Sequence, residues 1–258
     1  MRLFSKLGEY NACGMFSIGH LILLSVTIVG IVTSLHYTLY KGKKEIKNII
    51  KNCTIFLWGL EIIKIVFNLW SGNANNPNTY IPLYFCSLIL YTGLMSAFGK
   101  GTIKKVGDIF LATGGIIAGA SFMLVPLTSL TNYPMWHFIS IQSFVLHGTM
   151  VYLGVLINLT DYIEYNKSDI KYYFSLIIFL GIIAYIVNLI LGTNFMFISQ
   201  NFPNTPIEII YNITGSFFPL VMLLGQAILP FYIIYFIKEK LPNECKEELI
   251  ENIEGAVR

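Results

Sequence analysis

Some long apolar stretches of this sequence contain side chains that can act as nucleophiles or as acids and bases. Cys86 lies about five residues into the apolar run 81–98, and His137 and His147 lie in the run 134–158. A cysteine thiolate is a nucleophile, and histidine is the side chain best suited to accept a proton near neutral pH. A thiol beside an imidazole can form and release a covalent intermediate. The alternatives are a cysteine that is only a small buried side chain and histidines that only hydrogen-bond neighbouring helices.

Charged and amide side chains accompany them. Glu61 and Lys64 are three residues apart in the run 51–70, so they share a helix face. They form either a self-neutralising pair that positions the helix or a contact for a substrate headgroup. His147 is expected near the midplane of the bundle. The following polar side chains are all expected in one half, the outer half, which favours a polar cavity there: Cys86, His137, Gln142, Asn188 and Asn194.

Other kinds of chemistry have little support. Two histidines with no further ligand at short spacing make a poor zinc site, and the four cysteines form no CxxC pair. We therefore expect no metal and no cofactor. The net charge of +3 is too small to argue for nucleic acid, and the sequence indicates no protein partner.

The composition requires a solvent other than water. Apolar residues make up 55% of the chain and charged residues only 12%, about half the share of a soluble domain. Within a bilayer the backbone must satisfy its own hydrogen bonds, and runs of about 20 apolar residues favour helices. The sequence therefore predicts an all-α, polytopic transmembrane bundle of about seven helices. The predicted spans are 18–40, 51–70, 81–98, 106–130, 134–158, 172–198 and 212–237.

Lysines indicate the orientation of this bundle. They follow the first, third, fifth and seventh spans, whereas the three loops on the other side contain no lysine or arginine. Basic loops stay in the cytoplasm, so we expect the N-terminus outside and the C-terminus in the cytoplasm. We expect residues 1–240 to form a single bundle in the cell membrane, and residues 241–258 to form a short cytoplasmic polar tail.

Three segments carry a resemblance to a known family. Over roughly residues 10–240 the chain resembles the YwaF-type bacterial membrane proteins, which share a pattern with a eukaryotic family of transmembrane acyltransferases. The matching segments are Ile81–Ser87 (IPLYFCS), Gln142–Gly148 (QSFVLHG) and the stretch from Asn188 through Asn194 to Ile198.

The resemblance implies cysteine-dependent acyl transfer between phospholipids, with Cys86 as the acyl carrier and His147 as its base. Gln142, Asn188 or Asn194 could then donate to the developing oxyanion. One position departs from the pattern, since many relatives have a histidine where this chain has Tyr84.

Helical rise favours a different base. It puts Cys86 about 8 Å below the outer surface and His147 about 20 Å below it. His137 matches the expected depth of Cys86 better, so it stays the second candidate.

The other function that the sequence leaves open is non-enzymatic. An outer polar cavity could bind or transport a small solute, with Glu61 and Lys64 as its ligands and Cys86 incidental.

Overall fold

The computed structural model of the protein describes residues 2–203, 205–240 and 243–256. These residues form ten α-helices and no strand. The helices are α1 (Ile18–Thr38), α2 (Lys43–Trp70), α3 (Leu88–Phe98), α4 (Gly101–Ala112), α5 (Gly114–Leu124), α6 (Phe138–Leu159), α7 (Ile170–Leu191), α8 (Pro206–Thr214), α9 (Phe218–Lys240) and α10 (Asn243–Gly255).

Each predicted span contains a helix. Six helical segments of the described chain are long and apolar enough to cross a membrane: α1, α2, α4 with α5, α6, α7 and α8 with α9. The remaining predicted span contains α3, an apolar helix of only 11 residues. The all-helical transmembrane bundle is therefore confirmed, and the chain is a multi-pass membrane protein.

The helices are arranged around a buried centre. In the α4–α5 segment and in α6, two thirds of the residues in the apolar 18-residue stretch are buried, whereas in α1 only 17% are buried. α1 and α5 pack against α6, α2 packs against α3, and α7 packs against α9. Large apolar side chains of α1, α2, α7 and α9 face outwards, where hydrocarbon would solvate them.

The third span differs most from its predicted form. Residues 81–87 are not helical, and α3 begins only at Leu88. Proline has no N–H and disfavours a helical conformation in the residue before it, so Pro82 keeps the segment irregular. The Tyr91 hydroxyl donates to the Pro82 carbonyl over 3.2 Å and ties this segment to α3. We call residues 81–87 the entry segment.

The basic loops meet at one end of the bundle. Lys105 pairs with Asp169 at 2.7 Å, and Lys238 pairs with Asp161 at 3.7 Å, so ion pairs join loops that are distant in sequence. The opposite end holds the lysine-free loops. Which end faces the cytoplasm stays a prediction, and so does the division of the chain at residue 240. The predicted polar tail includes α10 and, at residues 241–242 and 257–258, positions outside the described residues.

Candidate functional site

Two close contacts fix the register between α2 and α3. A Cβ atom added to Gly93 would lie 2.3 Å from the Thr54 Oγ1, so the two helices touch at this level. One turn further along α2, the Trp58 Nε1 donates to the Leu90 carbonyl over 3.0 Å. Residue numbers rise along one helix as they fall along the other, so the helices are antiparallel.

This register brings Cys86 to the level of Glu61. One more turn along α2 from Trp58 is Glu61, and the equivalent step back along α3 leads into the entry segment at Cys86. Lys64 and Glu61 both lie near enough to the Cys86 thiol to interact with it electrostatically. Cys86 is half-buried, and its thiol is free.

The start of α3 adds a further feature around the thiol. Cys86 lies two residues before Leu88, at the positive end of the helix dipole. The Ser87 N–H donates to the Tyr84 carbonyl over 2.9 Å, so a hydrogen-bonded turn leads into the helix. The dipole at a helix N-terminus favours a thiolate and other anions.

Glu61 and Lys64 form the predicted pair, and a third residue joins them. The Lys64 Nζ is 2.5 Å from the Glu61 Oε1. The Gln142 Nε2 of α6 donates to the other carboxylate oxygen over 3.2 Å. Glu61 is only 1% exposed and Gln142 is also buried. The pair therefore faces the bundle and is attached to α6.

His147 has a ring that is held in place but has one unused nitrogen. Its Nδ1 is 2.6 Å from the Ser143 carbonyl, which can only accept, so Nδ1 carries the proton. The Phe122 ring stacks on the imidazole at 3.6 Å between centroids and 9° between planes. Nε2 is buried and, among the described residues, has no hydrogen-bond partner. The tautomer leaves its lone pair free to accept a proton.

Lys64 lies near both Cys86 and His147, because its charge interacts electrostatically with the thiol and with the imidazole ring. The depths also agree better than the sequence indicated. His147 is nine residues into α6, and Glu61, level with Cys86, is nine residues from the end of α2 at Trp70. Both distances correspond to about 14 Å of helical rise. The depth mismatch disappears because the irregular entry segment carries Cys86 deeper into the bundle than a helix from residue 81 would.

His137 lies outside this cluster, at the first turn of α6. Its Nδ1 accepts from the Ile139 N–H over 3.1 Å and caps the helix. Its Nε2 is 3.0 Å from the Ser5 carbonyl, and its ring stacks on Tyr133. Burial lowers the pKa of His137, and the Ser5 carbonyl partly offsets this effect. Both ring nitrogens are therefore occupied, one in capping α6 and the other in binding the N-terminal segment at Ser5.

Asn188 and Asn194 also lie outside the cluster and hold the turn after α7. The Asn188 side chain donates to the Phe195 carbonyl and to the Ser199 hydroxyl, and it accepts from the Phe195 N–H. Asn194 accepts from the N–H groups of Ser199 and Gln200. Both amide side chains are therefore bound to the turn formed by residues 193–200.

Tyr84 connects that turn to the entry segment. Its hydroxyl donates to the Asn78 side chain over 3.2 Å, and the same Asn78 oxygen accepts from the Asn194 N–H. Its ring packs on Phe195 and Phe197 at 5.4 and 5.3 Å. At this position Tyr84 supports the loop that carries Cys86.

The cluster thus contains five of the nine residues that the sequence singled out: Glu61, Lys64, Cys86, Gln142 and His147. Sequence reasoning missed Phe122, which orients the His147 ring, because nothing in an apolar run marks one phenylalanine among many. Among the described residues, no group of three or more His, Cys, Asp or Glu side chains could hold a metal ion.

Comparison with known proteins gives one match. The family model of the TMEM164 family matches residues 15–237, which include all five clustered residues and every membrane-spanning segment apart from the last turn of α9. No curated protein and no solved structure matches the chain.

Proposed function

This chain belongs to the TMEM164 family, and from that premise we propose that it is an acyltransferase of the cell membrane. Its substrates are membrane phospholipids and lysophospholipids, and Cys86 carries the acyl group as a thioester. The three segments that resemble the eukaryotic acyltransferases support this proposal. Two of them supply Cys86, Gln142 and His147, which belong to the polar cluster inside the bundle.

One observation carries the proposal. Nε2 of His147 is buried and has no hydrogen-bond partner among the described residues, while Nδ1 is bound to the Ser143 carbonyl. A buried polar atom without a partner is unfavourable, by about 1–3 kcal/mol, and in native proteins it calls for an explanation. A base that accepts the thiol proton of Cys86 provides one.

The reaction has two balanced steps. In the first, the thiol proton passes to Nε2 of His147 and the sulfur attacks the ester carbonyl of a phospholipid. The ester C–O bond breaks, and the lysophospholipid leaves as an alcohol with the proton from His147. In the second, a lysophospholipid hydroxyl gives its proton to His147 and attacks the thioester. The C–S bond then breaks, and the thiolate recovers the proton.

The start of α3 suits the negative charge that develops on the carbonyl oxygen. The positive end of the helix dipole favours an anion at this place. Gln142 has a second amide hydrogen besides the one bound to Glu61 and is a side-chain candidate for a further donor.

Acyl exchange in vesicles tests the proposal. The purified protein is reconstituted with a phospholipid that carries a labelled acyl chain and with an unlabelled lysophospholipid acceptor. We expect Cys86→Ala and Cys86→Ser to abolish transfer, because a hydroxyl is a far poorer nucleophile without a strong base. His147→Ala should slow transfer about 10²–10⁴-fold, the usual contribution of a general base.

Cys13→Ala is the matched control, because Cys13 is also a free cysteine but lies in the loop before α1. It should retain the full rate. Full activity in Cys86→Ala would remove Cys86 from the reaction. If the reconstituted wild-type protein transferred no acyl group, the solute-binding alternative with Glu61 and Lys64 as ligands would be favoured.

A further inference from the structure

Lys64 occupies a position that neither a simple ion pair nor a general base explains. Its side chain is 20% exposed and lies in the half of α2 nearer the lysine-free loops, away from the basic loops at the other end. Its ammonium has three N–H donors and lies 2.5 Å from a Glu61 carboxylate oxygen. The charge acts on both Cys86 and His147. A lysine in a bilayer is costly unless something retains it.

Glu61 holds this ammonium in place. One of its carboxylate oxygens forms an ion pair with Lys64, and the other accepts a hydrogen bond from the Gln142 amide. Because Gln142 lies on α6, five residues before His147, the same helix positions the carboxylate and the imidazole. The three polar side chains therefore form a rigid link between α2 and α6 beside the thiol.

We propose that Lys64 is the cation that stabilises the thiolate of Cys86, and that Glu61, held by Gln142, limits how strongly it does so. Lys64 and Glu61 are then positioning residues that act through Cys86. The proton that leaves the sulfur goes to Nε2 of His147, and no other reactant is needed. The role of this thiolate in acyl transfer rests on the proposed function, but the electrostatic effect on the thiol does not.

The other groups around the thiol do not replace this cation. On α2, Lys64 and Glu61 interact electrostatically with the thiol. On α6, the nearby ring is that of His147, in its neutral tautomer with the proton on Nδ1. Tyr84 of the entry segment interacts electrostatically with Cys86, and Tyr91 of α3 interacts with Glu61. Among these described groups Lys64 is the one with a basic amine, and it is held in an ion pair with Glu61.

Thiol labelling tests this inference without any assay of acyl transfer. The full-length protein in lipid nanodiscs is treated with N-ethylmaleimide, a small neutral reagent, between pH 6 and pH 10. Modification of the peptide that contains Cys86 is followed by mass spectrometry. Because the thiolate is the reacting form, the rate at fixed pH reports the thiolate fraction.

The two single changes should act in opposite directions. Lys64→Met removes the cation, and we expect labelling of Cys86 at pH 7.5 to slow about tenfold, because a nearby positive charge favours the thiolate. Glu61→Gln leaves the cation unopposed, so labelling should become faster. Lys64→Arg keeps a positive charge and should restore most of the rate lost in Lys64→Met.

A purely structural role would give a different pattern. Loss of the pair would loosen the bundle in both single variants and would accelerate labelling in both. Changes in the same direction in Lys64→Met and Glu61→Gln would therefore overturn the inference, and so would an unchanged rate in Lys64→Met. Lys51→Met is the matched control, because Lys51 lies over the Phe98 ring at the far end of the α2–α3 pair. It should leave labelling of Cys86 unchanged.

Failure of this inference and failure of the proposed function give different results. If labelling follows the expected pattern but Cys86→Ala still transfers acyl groups, the electrostatic link is correct and acyl transfer through Cys86 is wrong. If Cys86→Ala is inactive but labelling is insensitive to Lys64, the reverse holds.

Discussion

At the scale of single residues, two histidines of the same helix have different roles, and hydrogen bonding distinguishes them. His137 uses both ring nitrogens to cap α6 and to bind the Ser5 carbonyl. His147 uses one nitrogen and leaves the other buried without a described partner. The sequence could not separate them, because partners of a ring nitrogen come from loops and turns that no periodicity reveals.

The capping role of His137 leads to a pH-dependent stability. Its pKa is lowered in the folded protein, so the neutral form is the native one. The neutral ring contributes its full stabilisation of the fold above the unfolded-state pKa of about 6.5. This contribution is lost as the pH falls through and below that value. Protonation would also remove the acceptor for the Ile139 N–H.

His137→Asn should weaken this dependence, because an asparagine can accept from Ile139 and donate to Ser5 without titrating. We expect the melting temperature of the wild-type protein to fall more between pH 7.5 and pH 5.5 than that of His137→Asn. The measurement is thermal unfolding in the same nanodiscs. Parallel curves for the two proteins would mean that His137 does not titrate with folding.

The ion pair shows what single-residue spacing can predict. Glu61 and Lys64 are three residues apart, and that spacing alone predicted their shared face and left an ion pair as one of two alternatives. The bond from Gln142 to Glu61 could not be predicted, because it depends on how α6 packs against α2. Local rules give pairs within a helix, whereas the site is built from contacts between helices.

At the scale of secondary structure, the irregular entry segment decides where Cys86 lies. The sequence predicted a helix from residue 81 because the run is continuously apolar and proline is tolerated in a first turn. The structure instead begins α3 at Leu88, which gives the thiol a place at a helix N-terminus deep in the bundle. Hydropathy detects that a segment enters the membrane, but it does not detect whether the first residues are helical.

The packing of α2 against α3 should be sensitive to one atom at Gly93. A Cβ there would lie 2.3 Å from the Thr54 Oγ1 and 3.0 Å from its Cγ2. The better helix propensity of alanine is worth up to about 1 kcal/mol, whereas overpacking costs about 1–3 kcal/mol. We expect Gly93→Ala to lower the melting temperature and to reduce activity by moving the entry segment away from α2.

Adding Thr54→Ala to Gly93→Ala should recover much of the loss, because it removes both clashing atoms. Gly225→Ala in α9 is the matched control, since an added Cβ meets nothing within 4 Å there. Equal effects of Gly93→Ala and Gly225→Ala would contradict the close α2–α3 contact.

At the scale of the whole molecule, the bundle has its polar groups inside and its apolar groups outside. Buried side chains include Glu61, Gln142 and His147, while large apolar side chains of the peripheral helices are exposed. In hydrocarbon this arrangement is stable, and it encloses the polar cluster among the helices about 14 Å of helical rise from their ends. The number and order of the spans could be predicted, because hydropathy reports contact with lipid directly.

Direct detection of an acylated Cys86 tests the central claim. The wild-type protein is incubated with a phospholipid that carries a labelled acyl chain, without a lysophospholipid acceptor, so that the intermediate accumulates. We expect the peptide containing Cys86 to carry the label, neutral hydroxylamine to remove it, and His147→Ala to acquire it more slowly. A hydroxylamine-sensitive label on Cys13, Cys53 or Cys245 instead, or acyl exchange without any label on Cys86, would rule out Cys86 as the acyl carrier.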